Sequence, residues 1–363
     1  MMSLIIVVGV VLAVAILYLI FRIASLVSIA KGKKTDEISE NNGIHATLFV
    51  VFSLLGLGAF FWYSYTHFDS YNLPVASEHG VVTDTLFWIT MGITVAAFVI
   101  IFIIMIVFVY AYQYKEGRKA TFYPDNHYLE LAWTIIPAIV LVVLIFTGLR
   151  AWNDITSPAS AQAEVVELVA QQFAWTVRYP GTDNTLGNVN YKLIDNFGNE
   201  FGLDLTDNKS FDDFKSLELH LPKGKEILLK IRAKDVLHSV FLPHFRVKMD
   251  AVPGMPTHFK FVATKTTQEM RDETGNPDFN YELACTEICG KGHFSMRMLV
   301  VVDTPEDFEK WKSGQETWLK QNPNYMDKVP ANLKESAMIK AGIQMDKVSV
   351  ETKATFSAGG GSN

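Results

Sequence analysis

Both cysteines of a 363-residue chain fall in one short stretch, Cys285-Thr286-Glu287-Ile288-Cys289-Gly290-Lys291-Gly292-His293-Phe294-Ser295-Met296. Thiolate, imidazole and thioether are soft to borderline donors. They suit copper, zinc or iron–sulfur rather than magnesium or calcium. Two thiols this close on one loop can face a single site. A structural disulfide would use the same pair outside the cytoplasm, and so would a zinc site of two cysteines and two histidines. Against both, His293 and Met296 follow at once, and methionine is not a usual zinc ligand. A blue-copper site takes one cysteine, two histidines and a weak axial methionine. This loop has that pattern with a cysteine added, and two thiolates can bridge two copper ions.

The second histidine has to come from another element. His238, in Asp235-Val236-Leu237-His238-Ser239, follows an alternating strand pattern and is best placed. His244 is a weaker candidate, and His258 reads as a polar surface or structural residue. His45, His67, His79, His127 and His220 sit at span ends or on loops and read as background.

The elements that hold this loop begin in a membrane. The chain is 49% hydrophobic, with its apolar runs gathered at the N-terminal side, and its net charge of −6 argues against a nucleic-acid partner. Residues 3–30 are almost wholly apolar, with Arg22 the only charge. About 20 such residues cross a bilayer core. A signal peptide would need a basic start, which Met-Met-Ser-Leu lacks, so a retained helix is expected. Three further spans are expected at Ile44–Thr66, Leu86–Tyr112 and Leu129–Trp152, with Tyr and Trp at their ends as in interfacial belts. Lys31, Lys33 and Lys34 follow the first span, and Lys115, Arg118 and Lys119 follow the third. The loop after the second span carries Asp69, Glu78 and Asp84 without Lys or Arg. The positive-inside rule then puts both basic loops in the cytoplasm and both chain ends outside.

From about Ala161 the period changes to two. Phe173, Trp175, Val177 and Tyr179 alternate with Ala174, Thr176 and Arg178; Ile227, Leu229 and Ile231 alternate likewise; Phe259 and Phe261, then Met298–Val302, continue the pattern. Such strands, punctuated by Pro and Gly, predict a β-sandwich running to about Asp303. The acid-rich stretch from Asp195 to Glu218 reads either as a solvated insertion or as a docking surface for a basic partner. Pro305 to Gln321 reads as one helix, with Pro at its first position and acids in its first turn. The end, Ala358-Gly-Gly-Gly-Ser-Asn363, is expected to be disordered.

The pattern Cys285-x-Glu287-x-Cys289-x₃-His293-x₂-Met296, with Asp235-Val-Leu-His238-Ser and Asp250-Ala-Val-Pro-Gly254, resembles the binuclear copper domain of cytochrome c oxidase subunit II. The resemblance covers roughly Leu129 to Asp303. It implies a cupredoxin barrel anchored by a helical hairpin. It also implies that Cys285 and Cys289 bridge two coppers, that His238 and His293 each bind one, and that Met296 is a weak ligand. The Glu287 carbonyl would bind a copper and its carboxylate would face a magnesium or manganese site shared with the catalytic subunit.

Acids at a membrane edge are functional candidates, though often only interfacial. Glu130, in Glu-x₂-Trp-Thr-x₂-Pro ending at Pro137, resembles the family's glutamate at the mouth of a proton path into the catalytic subunit. The family's electron-receiving strand reads Trp-aromatic-Trp. Here Phe173 holds the first position and Trp175 the third, and both also read as core.

The expectation is therefore a membrane-anchored chain of four transmembrane helices, then an all-β cupredoxin-like sandwich and a short C-terminal helix. Its parts are 1–66, two extra helices; 84–152, the hairpin; 161–303, the copper domain; and 304–363, a helix and tail. By resemblance, the chain is the electron-input subunit of a terminal oxidase in a bacterial-type inner or plasma membrane, with its copper domain on the outer side. Its donor would be a c-type cytochrome, soluble or held by a neighbouring membrane complex, and its partners the catalytic haem–copper subunit and other oxidase subunits. The alternatives are a membrane-anchored copper-delivery protein, a quinol-oxidase-like subunit II, and a nitrous-oxide-reductase-like electron module.

Overall fold

The computed structural model describes residues 2–31, 42–195 and 197–343. Lys33, Lys34 and the Gly-rich tail lie outside the described residues. The chain divides into two units, Met1–Asp69 with Gly92–Glu130, and Ser70–Met91 with Leu131–Asn363.

Four helices are long and apolar enough to cross a membrane: α1 (Met2–Ala30), α2 (Asn42–Thr66), α4 (Glu78–Ala111) and α5 (His127–Thr156). A four-residue helix α3 (Phe68–Tyr71) follows α2. α4 begins at Glu78, well before the expected Leu86. Its first turns are polar, so hydropathy does not mark them. These turns and the segment before them dock on the β-domain. Arg246 donates from Nε to Asp84 Oδ1 at 2.7 Å and from Nη2 to the Leu73 carbonyl at 2.7 Å, and Ser77 Oγ donates to the Phe245 carbonyl at 2.7 Å. At the start of α5 the Asn126 side chain accepts from the Leu129 N–H at 3.1 Å, capping an otherwise open turn. α5 runs past the expected Trp152 to Thr156, whose carbonyl meets His258 Nε2 at 3.0 Å.

The β-domain is a sandwich of two five-stranded sheets. The strands are β1 (Glu164–Gln171), β2 (Ala174–Tyr179), β3 (Phe214–Ser216), β4 (Leu219–Pro222), β5 (Glu226–Ala233), β6 (His238–Leu242), β7 (Val247–Ala251), β8 (Thr257–Val262), β9 (Tyr281–Cys285) and β10 (Arg297–Asp303). One sheet runs β3-β2-β1-β5-β8 and the other β4-β10-β9-β6-β7. The α-helix α6 (Thr267–Thr274) joins β8 to β9, entered through a capping box of Thr266 and Glu269. The expected alternation is real: Trp175, Val177, Tyr179, Ile227, Leu229 and Ile231 from one sheet meet Val240, Leu242, Leu283, Val300 and Val302 from the other. Each such buried side chain contributes roughly 1.5–3 kcal/mol. Phe173 departs from its expected place at the head of this row. β2 starts at Ala174, and Phe173 sits in the turn before it, 38% exposed.

The acid-rich stretch is not merely solvated. Phe201, Leu203, Leu205 and Phe211 form a second core with Trp318, Leu319, Met326 and Val329. Its acids are largely engaged at home. Asp204 and Asp207 bind nearby backbone N–H groups, Glu200 pairs with Lys215, and Asp213 is buried against Arg178. The expected single helix Pro305–Gln321 is two helices, α7 (Pro305–Ser313) and α8 (Trp318–Gln321), parted at Gly314. The break lets Phe308 and Trp311 pack on the sandwich while Trp318 enters the second core. A last helix, α9 (Lys334–Ala341), adds Ala337 and Ala341 to that core.

Candidate metal centre

Strand pairing brings the soft donors to one end of one sheet. β6 and β9 are antiparallel neighbours with Val240 opposite Cys285, and β9 and β10 are antiparallel with Ala284 opposite Arg297. The first residue of β6, the last of β9 and the residue before β10 therefore meet. These are His238, Cys285 and Met296. The Cys285 N–H donates to the Met296 carbonyl at 3.1 Å and the Thr286 N–H to the Ser239 carbonyl at 3.2 Å, closing this end of the sheet. A 3-10 turn, His293–Ser295, carries His293 back toward the second sulfur.

The donor atoms lie in a chain. His238 Nδ1 is 3.8 Å from Cys285 Sγ, which is 3.9 Å from Cys289 Sγ. Cys289 Sγ is in turn 3.7 Å from His293 Nδ1 and 3.9 Å from Met296 Sδ. The Glu287 carbonyl lies 3.2 Å from Cys285 Sγ, while its side chain is exposed. Donors sharing one tetrahedral ion, with bonds of about 2.0–2.3 Å, stand roughly 3.3–3.8 Å apart. The residues thus fit a soft metal. The sulfurs are free and far beyond disulfide distance. Among the described residues, His238, Cys285 and Cys289 form the one cluster of His, Cys, Asp and Glu donors lying mutually within 4.8 Å. Burial, then the neighbouring Cys285, pushes the Cys289 thiol up to about 11, so metal binding there must displace a proton.

Two residues outside the expected set touch the candidate donors. Asp235 accepts from His238 Nε2 at 2.9 Å, and the Gln172 amide Nε2 donates to the Cys289 carbonyl at 2.6 Å. For Asp235 the Asp-x-x-His spacing was the available signal; nothing in the sequence marked Gln172. Trp175 is buried, 4% exposed, with its ring 6.1 Å from that of His238. Phe173 lies instead against the ligand loop, where a Cβ added at Gly292 would fall 2.6 Å from its ring. His244, between Phe279 and Tyr281, stands apart from the donor cluster; burial, then the Arg246 charge, holds it down at about 4. Glu130 lies in the first turn of α5, where the helix dipole favours an acid.

Two family models match the chain. One, described as cytochrome C oxidase subunit II, transmembrane domain, covers residues 66–151; the other, cytochrome C oxidase subunit II, periplasmic domain, covers 165–304. The chain is 33% identical over 248 residues to an alternative cytochrome c oxidase subunit 2 of Bradyrhizobium diazoefficiens, covering 68% of this chain and 84% of that one. It is 32% identical over 263 residues to a cytochrome c oxidase subunit 2 of Thermostichus vulcanus, covering 65% and 76%. A crystal structure of the periplasmic domain of subunit II of the Bradyrhizobium japonicum oxidase aligns with 43% of this chain and 94% of its own, at 23% identity and a TM-score of 0.29. With both halves of the family matched on one chain and curated relatives a third identical to it, the chain belongs to the cytochrome c oxidase subunit II family.

Proposed function

We propose that the chain receives single electrons from a c-type cytochrome at a pair of copper ions and passes them to haem in the catalytic subunit, where oxygen is reduced. The observation that carries this reading is the order of the donors: His238 and the Glu287 carbonyl stand by Cys285, while His293 and Met296 stand by Cys289. Two overlapping donor sets sharing two thiolates suit two ions better than one. A thiolate-bridged copper pair supplies a one-electron acceptor whose charge is spread over both metals.

The chain's own residues do the rest. Cys285, Cys289 and Met296 are part of the hydrophobic core, so the sandwich holds them still and keeps water away. Phe173 is an aromatic that reaches the surface while resting on the loop, and it is our candidate for receiving the electron; Trp175 packs behind His238. To the exposed Glu287 carboxylate we assign a share in a magnesium or manganese ion held with the catalytic subunit. Glu130 would take up protons at the cytoplasmic side, with the β-domain outside. The domains we assign keep the expected division, with the hairpin drawn as Glu78–Ala111 and His127–Thr156, α7, α8 and α9 after the sandwich, and the two N-terminal helices as an addition before the hairpin.

Rapid mixing of the assembled oxidase with a reduced c-type cytochrome tests the reading. Copper absorbance should bleach before the haem is reduced, and Cys289→Ser should abolish that first phase. Haem reduction at the native rate in Cys289→Ser would refute it. A copper-delivery protein would instead lose its metal to an acceptor protein without any electron-transfer phase.

A further inference from the structure

The turn between β1 and β2 carries no ligand, yet it is tied to both loops that do. The Gln172 backbone N–H donates to Asp235 Oδ2 at 2.7 Å, and its side-chain Nε2 donates to the Cys289 carbonyl at 2.6 Å. The Phe173 ring rests on Gly290 and Gly292. An added Cβ would meet that ring at 3.0 Å from Gly290 and 2.6 Å from Gly292, and Gly290 has φ +134°. Only glycine leaves room there, and at Gly290 it also supplies a backbone shape that other residues rarely adopt. Asp235 completes the set. Its Oδ1 accepts from the Val236 N–H at 2.8 Å and from His238 Nε2 at 2.9 Å.

Chemistry follows from the acceptor. A carboxylate only accepts, so His238 carries its proton on Nε2 and keeps the Nδ1 lone pair, which faces Cys285 Sγ at 3.8 Å. Carboxylates behind metal-bound histidines fix the tautomer and make the imidazole a stronger donor. The β1–β2 hairpin does not need these bonds to close, because Gln171 already pairs with Ala174 in the ladder. β1 and β2 belong to one sheet, whereas β6, β9 and β10, which flank the ligand loops, belong to the other. One turn thus spans the end of the sandwich and holds two loops of the opposite sheet.

We propose that Gln172, Phe173 and Asp235 form a brace that sets the separation of the His238 loop and the Cys289–His293 loop, with Asp235 as the positioning residue for His238. The proposal rests on the copper reading above. A site held in this way changes little when its charge changes, which is what fast electron transfer asks of it.

The test uses the full-length chain in detergent, loaded with copper. Asp235→Ala should weaken copper binding in chelator competition by about 10- to 100-fold and raise the reduction potential of the site, because His238 becomes a poorer donor. Asp235→Asn keeps an acceptor for His238 but turns an amide toward the Gln172 N–H, one of the three N–H partners of Asp235, so it should fall between. Gln172→Met, which keeps the backbone N–H and loses the amide, should alter the copper hyperfine pattern with less effect on the potential. Native affinity, potential and hyperfine pattern in Asp235→Ala would overturn the brace alone. If that variant does not fold, the same native result in Asp235→Asn overturns it. Absence of a copper pair in the unsubstituted chain would overturn both the brace and the copper reading.

Discussion

Cys289 is closely surrounded: its sulfur meets a thiol, an imidazole and a thioether at 3.7–3.9 Å while its carbonyl accepts from Gln172. The glycines around it are therefore sensitive positions. Gly292→Ala should displace Phe173 and destabilise the domain, and Phe173→Ala should relieve much of that cost. A double-mutant cycle by denaturant unfolding should show coupling of about 0.5–3 kcal/mol; strict additivity would mean that the ring does not rest on the loop. Glu130 makes a separate claim. Glu130→Gln in the assembled oxidase should slow turnover by roughly tenfold or more while copper reduction stays at the native rate. Loss of copper reduction instead would remove Glu130 from the proton path.

Between residue and molecule lie the elements that join the second core to the sandwich. Arg178 and Arg232 both hold Glu167, at 2.7 and 2.9 Å, and Arg178 also holds Asp213. Burial would raise the Glu167 carboxyl, but the two guanidiniums outweigh it and keep it at about 2, against 4.5 ordinarily. The unfolded chain then takes up the proton first as pH falls. This group's contribution, on the order of 3 kcal/mol, is whole above pH 4.5 and is lost as pH falls through about 2. Asp213 acts with the opposite sign. Burial lifts it to about 7 despite Arg178, so its folded form holds a proton that the unfolded form releases, and stability declines from pH 3.8 to about 7. Urea unfolding across pH should show that decline, and Asp213→Asn should flatten it while leaving the acid limb. An unchanged slope would contradict the assignment.

The same elements mark how far the sequence could be read. The four spans and the inward rows of the sandwich were legible because hydropathy and alternation report burial directly. The polar first turns of α4 were not, since they are held by Arg246 far along the chain. The second core escaped because its residues are divided between an irregular stretch and short C-terminal helices, neither with a clean period. In the candidate metal centre, the donor types and their spacing were legible, and the structure brings them together. Gln172 and the resting place of Phe173 were not, because contacts across the two sheets leave no local signal.

At the scale of the whole molecule, the basic loops predict topology. In intact cells, a cysteine placed at exposed Leu217 (L217C) should react with an impermeant maleimide, and one at Lys119 (K119C) should react only after the membrane is opened. Labelling of both in intact cells would invert the proposed orientation. The central claim is the copper pair, and paramagnetic resonance of the copper-loaded full-length chain, combined with a metal count, tests it most directly. Two copper ions per chain, with one unpaired electron shared equally between them, are expected. One copper per chain with a localised signal, or zinc alone after loading with both metals, would contradict it.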